Sequence, residues 1–159
     1  MSADDCMRIK EIQLDRGSIV RWSREVEHER QVAIFDLLER NSFALVNGFA
    51  GPYQVELSLR DANLVFAVED EEGERQTEIR LSMRPFRRLI KDYFLICDSY
   101  FEAIKSASPS RIEAIDMGRR GLHNEGAAKL VEVLAEKIAL DEETARRLFT
   151  LICVLHVRG

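Results

Sequence analysis

Groups able to do chemistry crowd into Ile115–Gly126, which reads IDMGRRGLHNEG. Gly118 and Gly121 bracket Arg119 and Arg120, and His123, Asn124 and Glu125 follow directly. The glycines let the backbone turn tightly while both guanidinium groups project outward. A helix beginning near Asn124 would aim its free N–H groups at whatever lies in front. A helix start beside arginines suits a phosphate or carboxylate. His123 and Glu125 add acid–base groups, so a hydrolase or nuclease using them with Arg119 and Arg120 is the alternative chemistry. The plainer reading is a polar helix–helix corner. In that reading Asn124 caps the helix, Glu125 complements its dipole, and the arginines pair with Asp116 or with another helix.

A second basic group, Arg84, Arg87, Arg88 and Lys91, opens a long amphipathic stretch, where the helix dipole disfavours cations. If this group meets Arg119 and Arg120 in space, together they form a phosphate or nucleic-acid pocket. His28 lies in EVEHER and reads as part of a solvated acidic face rather than a metal ligand. His156 falls near the end of the last helical pattern, where the dipole favours a protonated imidazole. Tyr93 and Tyr100 sit on an apolar stripe with hydroxyls that need partners. His–X–Glu alone is a weak ligand pattern, so no metal site is assigned. No Walker loop, dinucleotide fingerprint, CxxC pair or nucleophile elbow occurs, and no cofactor is assigned either.

The elements that must position these groups follow from hydrophobic period. Met1–Met7 reads as disordered. Ile9, Ile12 and Leu14 give a modest strand that ends at Asp15-Arg16-Gly17-Ser18. Ser23 caps a helix over Arg24–Arg40, with Val26, Ala33, Ile34, Leu37 and Leu38 as one stripe and Phe35 widening it. Phe43–Val46 is a short strand, followed by the loop Asn47–Pro52. Three alternating runs then make a meander: Tyr53, Val55, Leu57 and Leu59; Leu64, Phe66 and Val68; Thr77, Ile79, Leu81 and Met83. Their short connections predict antiparallel pairing.

Pro85 opens the strongest periodic segment in the chain, from Phe86 through Leu89, Ile90, Tyr93, Cys97 and Phe101 to Ile104, read as the central helix. Ser110 begins a capping box for a short helix that Gly118 should close. A further helix carries Ala127, Leu130, Val131, Leu134 and Ile138. Asp141 caps the last one, whose Leu148, Phe149, Ile152, Cys153 and Leu155 make it buried and a candidate subunit interface. The expected fold is α+β: an antiparallel meander of three to five strands on a long central helix, then a helical C-terminal half, in one domain over 1–159.

Composition narrows function mainly by exclusion. The 159 residues suit one core, and the 46% hydrophobic and 32% charged content is that of a globular protein. A net charge of -5 disfavours a general nucleic-acid surface, leaving only local basic patches. Met1–Asp5 is polar and acidic, unlike a signal peptide. No run approaches about 18 uncharged apolar residues, so no membrane span is expected. Cys6, Cys97 and Cys153 are odd in number and read as reduced thiols of a cytoplasmic protein.

Four segments, in order, carry a resemblance: VEHERQVAIFDLLERNSF, PFRRLIKDYFLICDSYFEAI, IEAIDMGRRGLHNEGA and TARRLFTLICVLHVRG. Together they resemble an uncharacterised alphaproteobacterial family known by a placeholder number, over about Arg8 to Gly159. The resemblance implies a single-domain bacterial cytoplasmic protein and brings no catalytic residues with it. The function expected from the residues is a non-enzymatic binding or regulatory module, as a homodimer, for a phosphate-containing small molecule. Its ligand set would be Arg119, Arg120, His123, Asn124 and Glu125 with Arg87 and Arg88. Alternatives are the hydrolase or nuclease above and a protein-binding adaptor.

Overall fold

The structure, a computed structural model, describes residues 6–15 and 23–157. The expected disorder of Met1–Met7 therefore falls outside it for residues 1–5, as does the strand-ending segment expected at 16–18. Strand β1 (Ile9–Leu14) precedes helix α1 (Arg24–Glu39), whose first turn is capped by Ser23 Oγ accepting from Val26 N at 3.2 Å. The short β2 (Phe43–Leu45) follows, then β3 (Tyr53–Arg60), β4 (Asn63–Glu69) and β5 (Gln76–Ser82).

The main sheet has the order β1-β3-β4-β5. β3, β4 and β5 form the antiparallel meander, with Leu57 opposite Phe66 and Phe66 opposite Ile79. The turn between β3 and β4 places Asp61 and Ala62 at φ of 51° and 64°, the left-handed pair that a two-residue hairpin needs. β1 departs from the meander by running parallel to β3, Ile12 beside Val55 and Leu14 beside Leu57. A parallel neighbour needs a crossover, and α1 is contained within it. β2 is outside this sheet, pairing antiparallel with β6 (Ile138–Leu140), a segment expected to be helical.

One sheet face is apolar, with Ile12, Val55, Leu57, Leu64, Phe66 and Val68 all buried. The alternate positions, among them Glu11, Gln54, Glu56 and Glu69, line a shallow polar surface. A 3-10 turn at Arg84–Phe86 leads into α2 (Arg87–Ser106), then α3 (Pro109–Leu134) and α4 (Glu142–Leu155). α2 carries the predicted stripe, with Leu89, Ile90, Tyr93 and Cys97 buried. The most deeply buried helix, however, is α4, which packs on α1 and α3 and buries every residue from Leu148 to Val154. Its apolar surface is thus used within the chain rather than left for a subunit interface. Phe35 does not widen the stripe of α1, being 67% exposed. Cys97 and Cys153 are buried free thiols.

The largest departure from the sequence reading is α3. It runs unbroken through Ile115–Gly126, with Ser108 as its N-cap and Pro109 in its first turn. Gly118 is not a C-cap, and Asn124 does not start a helix. The glycines are small for packing. A Cβ on Gly126 would lie 2.5 Å from Phe149 of α4, and one on Gly118 would lie 2.6 Å from Ile96 of α2. Gly121 faces open space.

Candidate functional site

A continuous helix turns about 100° per residue, so it separates groups that a corner would gather. Asp116, Arg119, His123, Gly126, Ala127 and Leu130 recur at three- and four-residue steps along one side of α3. There Arg119 Nη1 donates to Glu29 Oε1 of α1 at 3.1 Å and Nη2 to Asp116 Oδ1 at 2.9 Å. Its guanidinium lies 4.6 Å from the Tyr100 ring centre, a cation–π contact with α2. The other oxygen of Glu29 accepts from the Tyr93 hydroxyl at 2.6 Å. One carboxylate thereby ties α1, α2 and α3 together. Burial, with Cys97 and Glu29 nearby, drives the Tyr93 hydroxyl far above its usual titration range, so it stays a donor.

His123 completes this inner face. Its ring stacks on Tyr93 at 5.0 Å and meets Phe149 edge-on at 6.3 Å. Nε2 is buried and has no hydrogen-bond partner among the described residues. Burial, aided by the positive charge of Arg119, pushes its pKa down to about 4, so the imidazole is neutral near pH 7. Burial also pushes the Cys97 thiol up to about 11, which leaves it protonated and unreactive. His156, expected to be protonated at the end of α4, donates from Nδ1 to the Ile152 carbonyl at 2.8 Å. Burial lowers its pKa, outweighing the hydrogen bond to that carbonyl.

The remaining candidates occupy other sides. Arg120 points to solvent, 75% exposed, and pairs with Asp116 at 3.0 Å. Asn124 accepts from Arg146 of α4 at 2.8 Å. Glu125 pairs with Arg88 at 2.8 Å, and Arg88 also reaches Asp92 at 3.2 Å. Arg87 is exposed. The Arg88–Glu125 contact does join the start of α2 to α3, but about 9 Å along the axis from Arg119. The two arginine groups therefore do not converge on one pocket. His123 and Glu125, two residues apart, point about 200° from one another and cannot act on one atom.

What the inner face does line is a cleft of about 630 Å³ between the four helices. Arg119 and His123 form its α3 wall, Tyr100 and Phe101 the α2 wall, and Arg147 and Thr150 the α4 wall. From α1 come Arg24, Glu25, His28 and Glu29. The volume lies in the range of small-molecule sites, which combine apolar walls with a few convergent polar groups. Glu29, Arg24 and Arg147 were not among the residues chosen from sequence. Glu29 was detectable, because it falls on the apolar stripe of α1 between Val26 and Ala33, where a carboxylate needs a partner. Arg24 and Arg147 gave no such signal. Among the described residues, no three His, Cys, Asp or Glu side chains gather as a metal site.

Comparison with known proteins bears on the chain as a whole. The profile described as "Uncharacterised protein family (UPF0262)" matches residues 6–158. A UPF0262 protein of Rhodospirillum rubrum is 58% identical over 155 residues, covering 98% of this chain and 96% of that protein. One from Rhizobium etli is 57% identical over the full length of both chains, and one from Agrobacterium fabrum is 56% identical over 96% of each. No solved structure matches. The chain belongs to the UPF0262 family.

Proposed function

We propose that this chain is a non-enzymatic binding module that takes a small anionic ligand in the cleft between α1, α2, α3 and α4. The observation that carries this reading is the state of the cleft's arginines. Arg119 is already neutralised by Glu29 and Asp116. Arg147 has only a long contact to Asp36 at 3.6 Å, and Arg24 makes no ion pair among the described residues. One unpaired cation and one loosely held cation facing a concave, partly apolar space favour a phosphate or carboxylate entering from solvent. Tyr100 and Phe101 supply apolar wall for the rest of the ligand. The neutral His123 suits a binding wall better than an acid–base role, since it would have to ionise near pH 4. The buried thiols fit work in the cytoplasm.

The test is a melting-temperature screen with nucleotides, phosphometabolites and small carboxylates. A binder should raise the melting temperature, and Arg24→Ala/Arg147→Ala should remove the rise while Arg120→Ala leaves it intact. Unchanged melting across the whole panel would contradict the reading.

A further inference from the structure

The charges at the open end of the cleft say what else its ligand carries. Arg24 and Glu25 are the first two residues of α1, and both line the cleft and are exposed. Among the described residues neither has an ion pair or hydrogen bond. The other carboxylate of the cleft is different, because Glu29 is held by Arg119 and by the Tyr93 hydroxyl. A site for a bare anion would not set an uncompensated carboxylate beside its one unpaired arginine, since the two cancel at the mouth. Opposite charges side by side, both open to solvent, match a ligand group that carries both signs.

The far end is simpler. Arg147 stands level with Asp36, about 18 Å along α1 from Arg24, and its contact to Asp36 is 3.6 Å. Between the two ends run the rings of Tyr100 and Phe101 and the side chain of Val32.

Building on the anion-binding reading above, we infer that the ligand is an amino acid or a molecule with an amino-acid end. Its carboxylate meets Arg24, its ammonium meets Glu25, and its body lies along Tyr100 and Phe101. A second acid group on that body points toward Arg147. Acidic amino acids satisfy the pair at the mouth, and only homologues long enough to reach toward Arg147 satisfy all three charges.

Matched probes separate this from simple anion binding. Calorimetric titration of the full chain compares L-2-aminoadipate with adipate, the same diacid without the amine. The amino acid should bind about threefold to fivefold more tightly, the range of one solvent-exposed ion pair. Glu25→Gln should erase that preference without weakening adipate, and Arg24→Ala should weaken both. Adipate binding as well as the amino acid, or a preference that survives Glu25→Gln, would overturn the assignment and leave the anion-binding reading standing. Failure of both acids overturns the assignment too, and the anion-binding reading falls with it only if the phosphate panel also fails.

Discussion

The two sides of α3 share one helix and one composition of charged and small residues, yet they do opposite work. On the inner side Arg119 is a half-buried tie between three helices, His123 is a neutral ring stacked on Tyr93, and Gly126 exists to admit Phe149. On the outer side Arg120 projects from the surface, Glu125 makes an exposed pair with Arg88, and a Cβ added to Gly121 would meet nothing within 4 Å among the described residues. Residue type does not separate them. Rotation about the helix axis does, and it decides which charges cost energy to disturb.

That contrast can be broken most forcefully at Gly126. An added Cβ meets three ring atoms of Phe149 at 2.5 to 2.7 Å, and Phe149 is fully buried with nowhere to move. Gly126→Ala should therefore cost about 3 kcal/mol of unfolding free energy, measured by chemical denaturation. Next, Arg119→Ala leaves Glu29 half-buried without its cation, while Asp116 keeps Arg120, and should cost about 2 kcal/mol. The outer Arg120→Ala should change stability by less than about 0.5 kcal/mol in the same measurement.

His123 gives the contrast a pH signature. Its folded pKa, near 4, lies below the ordinary value of 6.5, so the unfolded chain binds a proton that the folded chain refuses. Stability from this group is present above about pH 6.5 and is lost as pH falls from there toward 4. Between pH 7 and 5 the loss should be about 1 to 2 kcal/mol. His123→Phe should flatten that part of the stability–pH curve, and a slope equal to that of the unchanged chain would show the ring is not buried. One effect has the opposite sign. Gly121→Ala adds a methyl group to open space inside a helix and should stabilise by about 1 kcal/mol.

The sheet was legible in the sequence because alternation over Tyr53–Arg60, Asn63–Glu69 and Gln76–Ser82 is an unambiguous period, with turn residues between the runs. The caps at Ser23 and Asp141 were legible for a similar reason, since a side chain acting on its own backbone is a local event. The pairing of β1 with β3 was not, because it depends on a contact across 40 residues or so of intervening chain that local pattern cannot encode. The stretch 115–126 misled for a different reason. Glycine marks turns when its backbone freedom matters, and it marks close helix contacts when its missing side chain matters. Only the neighbours, Ile96 and Phe149, reveal which applies. The cleft was half legible: Arg119 and His123 stood out by type, whereas Arg24 and Arg147 acquire meaning only from the helices that face them.

The most direct test of this arrangement is amide hydrogen exchange across 115–126 in the folded chain. In an unbroken α3 the amides of His123, Asn124 and Glu125 each donate within the helix ladder, so the three should be protected to the same degree as those of Ala127 and Leu130. Fast exchange confined to the three residues from His123 to Glu125 would mean a new helix starts there, with free N–H groups. It would return the chemistry of this chain to a corner and remove the inner face on which the cleft depends.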